Sequence, residues 1–287
     1  MAAGSAAARE DTARLDLVKR ALASELRSAQ DEQHPMRYRL RKSSPRLATT
    51  KEICETRDGA VARLVAINDQ PLTLSDAQKE ESRLNGLLSD PGKQHHRKQA
   101  EQEDTGRVLK VIEALPTAFT YQYIGPGEGP TGKVEKFAFQ PNPDFDPPNL
   151  ETQALTAMRG EIWIDAAQGR IARLEGHLQH DVDFGWGILG RLNKGGSILI
   201  EQADVGDHRW RIVHFKMVMS GRVVFRTKNF DTEEQASNFT PVPAGMGYAQ
   251  AIELLRGNTG VSEQAAKEAA AVAKRKSPGH GRGFFRT

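Results

Sequence analysis

The stretch from Arg159 to Phe230 constrains this chain more than any other feature, because it reads as short alternating strands separated by turn residues. Gly160-Glu-Ile-Trp-Ile-Asp165 breaks at Ala166-Ala-Gln-Gly169 and resumes as Arg170-Ile-Ala-Arg-Leu-Glu-Gly-His-Leu178. Gly195-Gly-Ser-Ile-Leu-Ile-Glu201 breaks at Asp204-Val-Gly-Asp207 and resumes as Arg209-Trp-Arg-Ile-Val-His-Phe215. Successive side chains on a strand point to opposite faces, so these runs predict an antiparallel meander with one apolar and one polar face. Connections of hairpin length leave no room for the crossover helices of a parallel sheet. One antiparallel sheet is therefore expected to hold both Met36–Lys42 and Arg159–Phe230.

Composition narrows the partners. The 287 residues suffice for one sizeable core. With 40 basic against 37 acidic side chains the formal charge is only +3, too balanced to imply nucleic acid. The basic residues are scattered except in Lys274-Arg-Lys276 and Arg282 to Arg286 near the end, which read as a solvated tail. The single cysteine, Cys54, excludes an internal disulfide framework and any multi-cysteine metal site, and within Glu52-Ile-Cys-Glu-Thr56 it reads as a small buried apolar residue. No apolar run approaches the roughly 18 residues that span a bilayer. The first residues lack the basic and apolar regions of a signal peptide.

Asp11 to Gln33 reads as an amphipathic helix, with Leu15, Val18, Leu22 and Leu26 on one side and Arg14, Lys19, Glu25 and Arg27 on the rest. His34-Pro35 should end it. Met36, Tyr38 and Leu40 alternate with three arginines in a strand, and Thr49 to Ile67 forms a hairpin around Arg57-Asp-Gly59. Leu74 to Leu115 is a helical insertion, with capping-box spacing at Ser75-Asp-Ala-Gln78, a division at Pro91-Gly92 and a stop at Pro116. Its polar middle, Lys93 to Arg107, is expected to project into water. Strand signals return at Ala118 to Ile124 and Val134 to Gln140, followed by the proline-rich loop 141–148. The organisation expected is an unstructured 1–10, one α+β domain over 11–256 with the insertion at about 74–115, and a polar basic tail over 257–287, partly a solvated helix and partly disordered.

Several motifs invite chemistry and lose it on context. Gly127-Glu-Gly-Pro-Thr-Gly-Lys133 has most of a Walker A spacing, but Val134 stands where the Mg²⁺-ligating hydroxyl belongs and a strand follows instead of a helix. Gly185-Trp-Gly-Ile-Leu-Gly190 spells the dinucleotide fingerprint without a βαβ unit around it. His177, Asp181 and Asp183 share a strand face and could meet a divalent ion, yet Arg173 and Glu175 on the same face suit an ordinary solvated surface. No serine or cysteine triad can be assembled. No catalytic residue, cofactor or metal is assigned.

The apolar stripes raise a different question. Met36, Tyr38 and Leu40, then Phe119, Tyr121 and Tyr123, then Phe184, and finally Phe215, Met217 and Met219 must all be covered by something. A sheet packed dry on its helices is one solution. A curved sheet that leaves a lined cavity is the other, and the adaptable methionines suit a lining for acyl chains.

Gly160-Glu-Ile-Trp-Ile-Asp165 followed by Gly169-Arg-Ile-Ala-Arg-Leu-Glu175 resembles the outer-membrane lipoprotein-sorting carriers, the LolA/LolB-like superfamily, in which a G-x-ϕ-W-ϕ-D strand turns into the next strand of the meander. The likeness extends loosely from about Asp11 to Phe230. It implies an open, strongly bent antiparallel half-barrel with helices covering its concave side, an apolar concave face that binds lipid, acyl chains or a lipid-modified protein, and a periplasmic or envelope location. The insertion at 74–115 and the basic tail depart from a simple carrier, and no functional residue transfers by motif. Three readings result: a non-enzymatic carrier or sensor whose cavity is lined by the stripes above, an interaction module for another envelope protein with a filled core, and, last, a metal-assisted hydrolase around His177, Asp181 and Asp183.

Overall fold

The computed structural model describes residues 2–184, 190–223 and 226–257, with the side chains of 2–11 and 223 left aside. Helix α1 (Ala2–Ala29) leads into strands β1 (Met36–Ser44), β2 (Leu47–Cys54), β3 (Val61–Ile67) and the two-residue β4 (Gln70–Pro71). Helices α2 (Leu74–Ser89) and α3 (Pro91–Ala118) follow, then β5 (Phe119–Gly129), β6 (Gly132–Pro141) and the short α4 (Leu150–Gln153). The meander comprises β7 (Met158–Asp165), β8 (Arg170–Leu178), β9 (Val182–Phe184), β10 (Gly190–Leu192), β11 (Ser197–Asp204), β12 (Trp210–Val223) and β13 (Arg226–Pro241), and α5 (Tyr248–Gly257) comes last.

The 13 strands of the described residues join one sheet in the order β4-β3-β2-β1-β13-β12-β11-β8-β7-β6-β5, with β10 beside β12 and β9 beside β10. Each pairing is antiparallel, and the two ends, β4 and β5, do not meet, so the sheet stays open. The long-range closure of β1 onto β13, Met36 opposite Pro241 through Ser43 opposite Glu233, brings the first strand beside the last. This is the α+β half-barrel expected from the alternation, with Met36–Lys42 and the meander in one sheet.

Helices α1 and α3 cover one face, here the inner face. Val18, Ala21 and Leu22 of α1 and Ala114, Leu115 and Ala118 of α3 pack against Phe137 and Phe139 of β6, Ile162 and Ile164 of β7, and Leu178 of β8. The glycines of β7 and β8 permit the close packing of these strands and their side chains. Gly160 and Gly176 are direct cross-strand partners, and a Cβ on Gly176 would come within 2.8 Å of the Met158 sulfur, while one on Gly160 would run into the Glu175 carbonyl. Only glycine leaves room there.

Several boundaries differ from those read in the sequence. Helix α1 starts at Ala2 rather than Asp11, so residues 2–10 are helical rather than unstructured, as their many alanines favour. The cap of α2 is Thr73, whose hydroxyl accepts from the Asp76 N–H at 3.1 Å, two residues before the expected box. Helix α3 runs past Pro116 to Ala118, since a proline so near the end removes one hydrogen bond and no more. The polar stretch of α3 does not simply project into water. Gln94 is buried and donates to the Asp58 carbonyl at 2.9 Å, Lys98 donates to the Arg57 carbonyl at 2.7 Å, and Glu101 accepts from the Ala60 N–H at 2.9 Å, so α3 clamps the β2–β3 turn.

A second correction concerns the layers. Alternation places Cys54 and Val61 opposite in direction to Tyr38 and Ile53, and they are buried under α2 and α5 through Leu84, Leu87, Ala251, Ile252 and Leu255. At the β2–β3 end, helices α2 and α5 therefore cover the face opposite to the one that α1 covers over β5–β8. The edge of β3 is also closed, because Glu80 accepts from the Leu64 N–H at 2.8 Å and Arg83 donates to the Ala62 carbonyl at 2.5 Å. Of the expected tail, 257–287, Gly257 closes α5 and 258–287 lie outside the described residues.

Candidate functional site

The inner face changes character along the sheet. Over β5–β8 it is filled: Phe137, Phe139, Ile162 and Ile164 are at most 2% exposed. Cross-strand register carries the same face onward, from Ile162 through Leu174 and Ile200 to Phe215, then Glu234 and Lys42. Beyond β11 the side chains are only half-buried. Tyr38 and Leu40 of β1 and Phe215 and Met217 of β12 lie outside the three buried apolar clusters found among the described residues.

The expected lining thus divides. Phe119 is buried, its ring 4.6 Å from Phe139, and Tyr121 and Tyr123 pack beside it. The Tyr121 hydroxyl donates to the Leu115 carbonyl at 2.9 Å, and the Arg14 guanidinium sits 4.2 Å above the Tyr123 ring. Phe184 and Met219 also pack against this filled cluster, and Met36 is 1% exposed. Tyr38, Leu40, Phe215 and Met217 remain as a half-buried stripe outside that cluster, with Tyr38 stacked on Phe239 at 5.1 Å.

Polar groups that alternation did not reveal surround this stripe. Lys42 and Glu234 form an ion pair of 2.7 Å on the same face, beside Leu40 and Phe215. Burial pushes the Tyr38 phenol above its ordinary range, and the charges of Glu55, Glu101 and Glu234 push it the same way. Burial also raises the Glu55 carboxyl, against the pull of the Met36 N–H that it accepts at 2.8 Å. Glu101 further lines a pocket of about 620 Å³ with Ala29, Ala60, Arg97 and Val108, between the end of α1, the β2–β3 turn and α3. That pocket takes none of its lining from β1 or β12, so the stripe is an amphipathic surface beside it, apolar at Leu40 and Phe215 and charged at Lys42 and Glu234.

The remaining candidates resolve into structural roles. Asp183 takes two hydrogen bonds from Arg191, at 2.6 and 3.0 Å, and Asp181 accepts from the Lys194 N–H at 2.8 Å, while His177 leans toward Glu175 at 3.3 Å. The three residues do not converge, and no group of three potential ligands is found among the described residues. Gly127 to Lys133 forms the β5–β6 hairpin, with Gly129 opposite Gly132. Residues 185–189 of the dinucleotide lookalike lie outside the described residues, but the flanking β9 and β10 pair antiparallel, which is incompatible with a βαβ unit.

The outer face carries a ladder of charges across four strands. Arg173 of β8 donates to Glu201 of β11 at 2.5 Å, and His214 of β12 lies 2.9 Å from both Glu201 and Glu233 of β13. A further groove of about 700 Å³ on this face is lined by Gln122, Gln140, Arg159, Glu161 and His177. Nothing in either arrangement sets a nucleophile beside a base.

No family model and no curated protein matches the chain. Among solved structures it is similar to the crystal structure of an outer membrane lipoprotein-sorting protein domain from Vibrio parahaemolyticus, whose own description as such is provisional. The two share 10% identity at a TM-score of 0.30, over 82% of this chain and 96% of that one. At that identity and score the likeness assigns neither function nor ligand. No described helix is long and apolar enough to cross a membrane.

Proposed function

We propose that the protein is a non-enzymatic carrier or sensor that holds an acyl chain, free or attached to a lipid-modified protein, against the inner face between β1 and β12. One observation supports this most: Tyr38, Leu40, Phe215 and Met217 lie on the face that is tightly packed elsewhere, yet are half-buried and outside its core. A chain laid on them would gain about 0.8 kcal/mol for each methylene removed from water, with no covalent chemistry. A periplasmic or envelope setting belongs to the same proposal.

The test pairs a fluorescent fatty-acid probe with denaturant melting. The parent should bind the probe, and Met217→Glu should bind it much more weakly, because the carboxylate must be desolvated beside the chain. Its unfolding midpoint should move little, since water can reach a half-buried site. No probe binding by the parent, or unchanged binding in a folded Met217→Glu, would sink the proposal and leave an interaction module for an envelope protein as the better account.

A further inference from the structure

We infer that the arm formed by Arg226–Thr232 of β13 and the residues Met217–Val223 of β12 that pair with them is a docking surface for an anionic lipid bilayer. Strand β13 outruns its neighbour on one side: β1 pairs with it only as far as Ser43 opposite Glu233, whereas β12 follows it down to Val223 opposite Arg226. Residues 226–232 thus have a partner strand on one side alone, forming an arm with a free edge.

The side chains of this arm are sorted. Alternation places Arg226, Lys228 and Phe230 on one face, which is the inner face, because Phe230 pairs directly with Met219 and Met217 precedes it two positions along β12. The apolar inner face therefore continues outward through Met219 and Phe230 and ends in two cations. Phe230 is 42% exposed, and no ion pair holds Arg226 or Lys228 among the described residues. By contrast Arg191, which pairs with Arg222 near the far end of the arm, is engaged by Asp181 and Asp183.

An exposed aromatic ring beside unpaired cations suits an interface in which phosphate groups lie next to acyl chains. The charges select an anionic bilayer, and they oppose edge-to-edge pairing with a second copy, for which edge cations are a common deterrent. Docking here goes beyond the carrier proposal and does not depend on it. A protein that carries nothing could still dock, and a carrier could fail to.

Co-sedimentation of the full chain with phosphatidylcholine vesicles, with and without phosphatidylglycerol, tests the assignment. Binding should require phosphatidylglycerol and fall at high salt. Lys228→Gln and Arg226→Gln should each weaken it about fivefold, the share of one cation near a charged membrane. Phe230→Ser should weaken it without altering the salt dependence. These positions are exposed, and unchanged circular dichroism confirms folding. Equal binding to both vesicle types, or binding to neither, would overturn the inference. So would phosphatidylglycerol-dependent binding that survives both substitutions, which would assign it to Lys274–Lys276 in the tail. A dimer that dissociates in the same variants would give the edge to a second copy.

Discussion

The β5–β8 half of the sheet and the β12–β13–β1 half present the same inner face and obey the same alternation, but only one is finished as a core. In the first, aromatic and branched side chains from β6 and β7 meet α1 and α3 and are almost wholly removed from water. In the second, Tyr38, Leu40, Phe215 and Met217 share their face with the Lys42–Glu234 ion pair and are only partly buried. Helical cover is the difference: the apolar stripe of α1 is spent on β5–β8, and α3 passes over the other end with a polar stretch anchored to the β2–β3 turn. A sheet can thus carry a packed core and an open apolar surface as one continuous face, and the helices decide where one becomes the other.

Mutation should separate the halves sharply. Phe137→Ala, in the filled half, is expected to cost about 3–5 kcal/mol in denaturant unfolding, the usual range for a buried aromatic that leaves a cavity. Phe215→Ala, on the same face in the open half, should cost about 1 kcal/mol. Similar losses at both sites would erase the contrast and mean that the second half is packed as well.

The seam between them has its own expected failure. Glu25 of α1 accepts from Arg170 of β8 at 3.0 Å, from the Ile171 N–H at 3.4 Å and from Gln202 of β11 at 2.9 Å, tying the helix to the sheet where the filled region ends. The pair is nearly buried, 12% exposed at Glu25 and 11% at Arg170. Glu25→Ala would strand the guanidinium, and a loss of about 3 kcal/mol is expected, between the two phenylalanine outcomes. A change under about 0.5 kcal/mol would show that packing alone seats α1.

Glu25 also shows what the sequence hides. It reads as one of the solvated residues of an amphipathic helix, because periodicity assigns faces and says nothing of which polar side chain meets a buried partner. Strand order was more legible: the alternation and short turns around Ala166–Gly169 leave few topologies other than an antiparallel meander. Whether Tyr38 or Phe119 is packed could not be read, since both sit in strands of the same pattern and only the placement of α1 and α3 distinguishes them. The rim groups Glu55, Glu101 and Glu234 come from a loop end, a helix and a distant strand, so no local motif joins them.

The smallest expected effect tests whether that rim is partly desolvated rather than freely wet. Burial raises the Glu55 carboxyl above its ordinary 4.5, with Glu101 and Asp31 adding to the shift and the Met36 N–H and Arg211 opposing it. A carboxyl with a raised folded-state pKa binds its proton more tightly when folded. Its contribution to stability is therefore complete below the unfolded value and is lost as pH rises through the folded one. Glu80, at the closed edge of β3, behaves oppositely. Burial acts to raise it too, but the hydrogen bonds from Arg83 and the Leu64 N–H outweigh that and leave it below 4.5, so its contribution is present above that pH and lost on acidification. Glu55→Gln keeps an acceptor for Met36 and removes the charge, so it should gain stability on the parent at neutral pH, with the gap closing as pH falls toward 4.5. Glu80→Gln should lose stability at neutral pH, and its gap should also close on acidification, from the other side. Urea midpoints at several pH values for the two variants give the signs directly. If Glu55→Gln is destabilised at neutral pH as Glu80→Gln is, then Glu55 is a paired anion like the groups of the closed edge, and the open end is better solvated than its burial implies.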